Sequence, residues 1–237
     1  MADARDGGGS VASNLPGRAV SLEELKRDPE VDAYIAKADE YTGAIGYTEH
    51  GFRHANLVAS IAANVLRRLG RSEGAVQLAT VAGYLHDIGN LVGRVNHEHT
   101  GALLACRILG RLGMEPVNMA VVMGAIGNHE ELSGDPVSEV CAALIISDKS
   151  DVHRTRVRNP EPTTFDIHDR VNFAVEHSFL RVDERAHTVT LELTIDTKLS
   201  HVMEYFEIFL PRMVMCRRAA KVLGCEFKLQ INGTKLL

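Results

Sequence analysis

No run of apolar residues in this chain approaches the roughly 20 needed to span a bilayer, and so no membrane anchor is expected. Basic residues are not in excess either: 26 Lys and Arg stand against 31 Asp and Glu, a formal net charge of -5. Sequence-independent binding of nucleic acid needs the opposite balance, because phosphates must be neutralised along a broad surface. A nucleic-acid polymer is therefore not an expected partner, while a small anionic ligand is compatible. Cysteine is sparse and scattered. Cys106, Cys141, Cys216 and Cys225 form no C-x-x-C pair, follow no signal peptide and sit inside apolar patterns, which reads as buried thiols in a reducing cytoplasm. No internal repeat is visible.

What is present is a globular composition. The 237 residues are 45% apolar, enough for one large domain or one domain with a small appendage. Residues 1–18, "MADARDGGGSVASNLPGR", offer almost nothing to bury and are expected to be a disordered tail. Ser21 with Glu24 makes a capping box, and Pro29 to Asp39 fits a second short helix. Amphipathic helices are expected at about 52–69, 73–87, 97–112, 116–130 and 136–150. Gly70, Gly89 and Gly113 serve as stops, and Ser72, Pro116 and Pro136 as starts. After "RNPEPTTFD" the period changes from helical to alternating. "FLRVDERAHTVTLEL" predicts a hairpin, about 200–223 a helix, and Cys225, Phe227, Leu229 and Ile231 a third strand before the turn signal Asn232-Gly233. The expected class is mainly α: a helical domain over 19–160 and a small C-terminal α+β unit over 161–237. That unit could pack on the core, pair across a dimer or cover a pocket; a homodimer is the favoured assembly.

Polar residues recur where the helical pattern points inward. His54 shares a face with Val58, Ile61 and Val65; His97 with Gly101, Leu104, Ile108 and Leu112; Asp148 with Cys141 and Leu144; His129 follows Ile126 by three residues and Val122 by seven. The pair His86-Asp87 in "YLHDIGN" closes another helix. One inward histidine is more often a hydrogen-bonded core residue than a ligand. Five such positions on successive helices read differently, because each buried polar group costs on the order of 1–3 kcal/mol unless satisfied, and one metal centre satisfies them together. Imidazole with carboxylate suits Mn, Fe, Co, Ni or Zn, with Mg also admitted, and disfavours Ca and structural Zn.

The order H…HD…D, realised as His54, His86-Asp87 and Asp148, resembles the HD-domain metal-dependent phosphohydrolases. "EHGFRHANLVA", "NHEHTGALLA", "AIGNHEE" and "LIISDKSDVHR" resemble further segments of that family, and the resemblance covers roughly residues 47–158. It implies an HD-domain helical bundle, a first divalent metal held by His54, His86, Asp87 and Asp148, a bridging role for Asp87, and a second metal completed by His97 and His129. His99 is the rival to His97, which the four-residue step to Gly101 favours. His50, one turn before His54, resembles the histidine proposed in cyclic-nucleotide phosphodiesterases to protonate the leaving oxygen, and with Asp87 makes up the expected catalytic pair. The core is similar to the HD-GYP branch but departs from it: Asn90 stands where a lysine is usual, His129-Glu130 replaces a histidine pair, and "SGDPVS" replaces G-Y-P. Cyclic-di-GMP hydrolysis is accordingly not expected, and Glu130 is a candidate ligand in place of the missing histidine.

Lys149, Arg154, Arg156 and Arg158 follow the last candidate ligand directly, and guanidinium forks match phosphate oxygens. They are the expected substrate-binding residues, against the alternative of a solvated loop paired with Asp151, Glu161 and Asp166. The function implied is hydrolysis of a phosphomonoester or phosphodiester, most naturally of a nucleotide, by a metal-activated water with one or two divalent ions. The alternatives are a nucleotide-binding regulator without turnover and a di-iron HD oxygenase.

Overall fold

The computed structural model describes residues 18–236; the expected N-terminal tail lies outside them but for its last residue. The chain enters through α1 (Leu22–Lys26), where Ser21 and Glu24 form the expected capping box. Helix α2 (Pro29–Ala44) is capped by Asp28, which accepts from the Glu30 and Val31 amides, and runs five residues past the expected end. The bundle proper is α3 (Phe52–Arg68), α4 (Glu73–Leu85), α5 (His97–Arg111), α6 (Pro116–Gly127) and α7 (Glu139–Lys149).

Within the bundle, three boundaries differ from the sequence pattern by two residues or more, each for a local reason. Helix α4 stops at Leu85, and the chain passes His86 and Asp87 into a short 3-10 turn over Ile88–Leu91. Helix α6 stops at Gly127 rather than 130, because Asn128 turns its Nδ2 back to the Gly124 carbonyl at 2.9 Å. Helix α7 begins at Glu139 rather than Pro136, where the Ser138 hydroxyl accepts from the Cys141 amide at 3.1 Å. These shifts move the candidate ligands out of helix interiors and onto helix ends.

Helix α7 is the axis of the bundle. Every residue from Val140 to Ser147 is buried, as a helix that is apolar all round must be, with α3, α4 and α6 packed about it. Helices α3 and α4 approach closely because Gly83 faces Ala59: a Cβ on Gly83 would lie 2.8 Å from the Ala59 Cα. Val58, Leu66, Leu78, Leu85, Ile126, Leu144 and Ile145 are fully buried there, each stabilising the fold by roughly 1.5–3 kcal/mol relative to exposure.

The C-terminal part holds the expected hairpin, helix and strand, plus two elements the pattern did not show. A short α8 (Ile167–Ala174) precedes β1 (Val175–Asp183) and β2 (Thr188–Ile195), α9 (Val202–Val222) follows, and β3 (Glu226–Ile231) turns into a two-residue β4 (Thr234–Lys235). The sheet order is β1-β2-β3-β4. Strands β1 and β2 pair antiparallel, as do β3 and β4, whereas β2 and β3 are parallel, with α9 as the crossover. Asn232 (φ 50°) and Gly233 (φ 80°) make the last turn. Helix α9 packs on α7, so this layer is laid against the bundle and reaches over the end where the candidate ligands gather. Among the described residues no helix is long and apolar enough to cross a membrane.

Candidate metal centre

Six side chains meet where helix ends converge. His54 sits in the first turn of α3, His86 caps the end of α4, Asp87 follows it, His97 opens α5, His129 lies two residues beyond α6, and Asp148 is in the last turn of α7. The glycine of "HDIGN" lets this happen. A Cβ on Gly89 would fall 1.9 Å from the His97 carbonyl oxygen and 2.5 Å from the Gly101 amide, so only glycine lets the turn after Asp87 lie against the start of α5. His97 therefore faces the cluster and is 2% exposed, while the His99 side chain is 62% exposed and points away.

The imidazoles are oriented from behind. His86 Nδ1 donates to the Gly83 carbonyl at 2.9 Å, His97 Nδ1 to the Arg94 carbonyl at 3.1 Å and His129 Nδ1 to the Ile126 carbonyl at 2.6 Å. His54 Nδ1 donates to Asp151 Oδ2 at 2.7 Å. With Nδ1 committed, the neutral ring carries its lone pair on Nε2. All four Nε2 atoms point inward: His54 and His86 face each other at 3.2 Å, as do His97 and His129. Lone pairs held this close repel unless a cation or a proton lies between them.

Two groups of donors result. His54 Nε2 and His86 Nε2 lie 3.2 Å apart, and Asp87 Oδ2 and Asp148 Oδ1 each lie 3.3 to 3.6 Å from both imidazole nitrogens, close to the roughly 3.3–3.6 Å expected between ligands about 2.0–2.2 Å from an ion. This set fits a divalent transition metal. The second group is looser: Asp87 Oδ1 lies 3.4 Å from His97 Nε2 and 4.0 Å from His129 Nε2, with Glu130 Oε2 3.7 Å from His97 Nε2. Asp87 thus turns one carboxylate oxygen to each group, and Asn90 Nδ2 donates to its Oδ1 at 3.0 Å.

The electrostatics favour positive charge. Burial opposes ionisation of Asp87 and Asp148, yet the imidazoles beside both, and Lys149 next to Asp148, hold the two carboxyls well below their usual range. Burial likewise opposes a charged His86, but Asp87 and Asp148 override it and hold that imidazole up at about 10. His129, buried among His86, His97 and Lys149, is pushed well below its ordinary value. Asp151 anchors the outer side: besides His54 it takes the Arg53 guanidinium at 2.8 Å, and its backbone carbonyl accepts from Arg156 at 2.8 Å.

A cavity of about 260 Å³ opens beside the cluster, lined by Tyr47, His50, Arg94, Arg156, Phe209 and Arg212 among others. His50 is buried, donates Nδ1–H to the Thr48 carbonyl at 2.6 Å, and keeps Nε2 for the cavity. Burial and the nearby Arg156 push it well below its ordinary value, so it is a neutral imidazole at pH 7.

The expected substrate-binding residues divide. Arg156 lines the cavity, but its guanidinium is spent on the Glu49 and Asp151 carbonyls. Lys149 is buried behind the cluster, 2.8 Å from Asp148 and 2.7 Å from Glu131. Arg154 pairs with Glu176 and lies over the Phe173 ring, and Arg158 pairs with Asp39; neither lines the cavity. They fail to reach it because the 3-10 turn over Arg154–Arg156, a few residues beyond α7, turns only its last residue, Arg156, inward. Arg94 and Arg212 line it instead. Sequence reasoning passed over both. Arg94 lies in the loop seven residues after Asp87, and Arg212 on a helix more than sixty residues beyond the last candidate ligand, with no local signal tying either to the cluster.

The family described as HD domain matches residues 51–171. The chain belongs to the HD-domain family. The matched stretch starts just before α3 and ends in α8, and it contains all six converging side chains. Uncharacterized protein MJ1020 of Methanocaldococcus jannaschii is 25% identical over 207 residues, covering 77% of this chain and 79% of its own length. That similarity covers more of the chain than the HD-domain match does.

Proposed function

We propose that the protein is a divalent-metal phosphohydrolase acting on a compact phosphoester, a nucleotide by preference. The observation that carries this is the convergence of four imidazole Nε2 atoms and two carboxylates beside a cavity walled by three arginines. His54, His86, Asp87 and Asp148 would hold the ion. When bound, it would supply Lewis acidity toward phosphate oxygens and lower the pKa of a water. The remaining steps fall to the chain itself. Arg94 and Arg212 face the cavity with charge that cannot be lost, suited to orienting a phosphate. His50 Nε2 accepts a hydrogen bond in its neutral form; a dianionic phosphate alongside would favour its protonation, after which it could give the proton to a leaving oxygen. Tyr47 and Phe209 offer rings, and Asp166, His168 and Asn172 hydrogen-bonding groups, the chemistry a nucleoside calls for. The cavity is at the small end for ligand pockets, which favours a mononucleotide over a dinucleotide.

The test is a panel of mononucleotides, cyclic nucleotides and model phosphoesters assayed with Mn, Co, Ni, Zn and Mg. Release of phosphate or of a nucleotide monoester with one or more of these ions is expected. Tight nucleotide binding by metal-loaded protein without any product would replace the proposal with a regulator, and an oxygen-consuming reaction of the iron-loaded protein would replace it with an oxygenase.

A further inference from the structure

The looser donor group already holds a cation. Arg94 Nη1 lies 3.1 Å from His97 Nε2 and 3.9 Å from Asp87 Oδ1, and its Nη2 lies 3.7 Å from Glu130 Oε2. Three of the four side chains that could make up a second metal site are therefore in reach of one guanidinium. The contact to His97 is chemically specific. His97 Nδ1 donates to the backbone carbonyl of Arg94 itself, which leaves Nε2 as an acceptor, and Nη1 donates to it. A lone pair used in this way is not available to a metal ion.

The guanidinium is held in place rather than passing by. Asn90 Oδ1 accepts from Nη1 at 3.4 Å, and the Tyr47 ring lies beneath the group with its centroid 5.4 Å from Cζ. Its side chain is 23% exposed, so one edge still meets the cavity. Arginine is suited to this position because it stays charged at any working pH. Its planar fork can satisfy a carboxylate and an imidazole at once, and it stacks on an aromatic face. A divalent ion entering between Asp87, His97, His129 and Glu130 would have to displace it against like-charge repulsion. Between the tetrad's imidazoles and carboxylates no guanidinium intervenes: His54 and His86 turn their Nε2 atoms toward each other and toward Asp87 Oδ2 and Asp148 Oδ1, and Lys149 meets Asp148 at the other oxygen, Oδ2.

We infer that the Arg94 guanidinium is the resident cation of the Asp87–His97–His129–Glu130 subsite, so that the centre takes a single metal ion, held by the tetrad, with arginine in the place of a second. This rests on the metal-centre reading and is independent of whether phosphoesters are hydrolysed.

The test is metal stoichiometry in the full-length chain, by titration of metal-stripped protein with Mn and Co under calorimetry and by elemental analysis after dialysis. One tight equivalent is expected for wild type. Arg94→Gln should admit a second, at least about tenfold tighter than any second equivalent in wild type, and Arg94→Lys should remain near one. Paramagnetic resonance of the Mn-loaded Arg94→Gln protein should show two coupled ions, since Asp87 would bridge them, and His129→Ala added to it should remove the second ion alone. Two tight equivalents in wild type, or a single equivalent in Arg94→Gln protein that keeps its native circular dichroism, would overturn the inference. If Arg94→Gln does not fold, the stoichiometry and resonance of wild type decide it. Absence of tight metal from both proteins would remove the metal centre itself, a different failure from that of the arginine.

Discussion

The bundle and the layer laid over it contribute unlike things to one site. All six candidate ligands come from the ends of α3, α4, α5, α6 and α7; the four histidines are fixed by bonds to nearby main-chain carbonyls or to Asp151, and Asp87 and Asp148 accept from Asn90 and Lys149. The C-terminal layer contributes no candidate ligand; it brings Phe209 and Arg212 from α9, and Asp166, His168 and Asn172 from α8 and the residue before it, to the cavity wall. Helix ends placed by a packed core hold donors to within tenths of an ångström, which a metal requires. A layer laid over that core suits the contour and charge of a substrate. Substitutions in the two regions should accordingly fail in different ways: metal lost with activity in one, activity lost with metal retained in the other.

The largest effect is expected at Asp87. Both of its oxygens are in use, one toward each donor group, and Asp87→Ala should remove bound metal and turnover together while circular dichroism stays native. Full metal content in a folded Asp87→Ala protein would end the metal-centre reading. Asp151 comes next, because its carboxylate reaches the centre through His54. Asp151→Ala should weaken metal binding by about 10- to 100-fold, and Asp151→Asn, which keeps an acceptor for His54 Nδ1–H, by less. Equal losses in the two would mean that charge, and not ring orientation, is what Asp151 supplies.

The bundle was the more legible region because its signal is local. His54, His97 and Asp148 could be placed inward from the 3.6-residue period alone, since the apolar residues that share their faces lie within one or two turns. Boundaries were less legible: the Asn128 side chain ending α6 and the Ser138 cap beginning α7 compete with propensities that would have carried both helices on. The cavity wall was largely illegible. Lys149, Arg154, Arg156 and Arg158 were singled out for proximity in sequence to Asp148, but side chains in a tight turn diverge, and only Arg156 faces the cavity. Arg212 belongs to the site through the packing of α9 on α7, a contact that no periodicity encodes. The parallel pairing of β2 with β3 is of the same kind, set by a crossover rather than by adjacency.

Arg212 gives the sharpest contrast with Asp87. Its Nε bonds Glu131 at 3.2 Å and its guanidinium stacks on Phe209, with the centroid 4.6 Å away. Loss of one charge-assisted contact to a phosphate corresponds to roughly 10- to 100-fold in kcat/KM. Arg212→Ala should show that loss with metal content unchanged, and Arg154→Ala, whose partners lie away from the cavity, should show neither. Metal loss in Arg212→Ala would erase the division between donors and cover.

The smallest effect tests whether the covering layer is fastened independently of the centre. Glu204 caps the start of α9, takes the Arg170 guanidinium of α8 at 2.6 Å and accepts from the Ser200 hydroxyl at 2.7 Å. The Arg170 and Ser200 hydrogen bonds hold its carboxyl down at about 2. A group depressed in the folded state stabilises it above the unfolded value and ceases to do so as pH falls through the folded one. The contribution of Glu204 should thus be complete at pH 7, decline below about pH 4.5 and be gone near pH 2. The group is exposed, so the contribution is small. Glu204→Gln should lower Tm by roughly a few degrees at pH 7, with the gap to wild type closing as the pH is lowered, and it should leave metal stoichiometry at pH 7 untouched. A gap that persists unchanged to pH 2 would mean that the neutral hydrogen bonds of this cap, and not its charge, join α8 to α9; a change in metal content would mean that the layer and the centre are one cooperative unit.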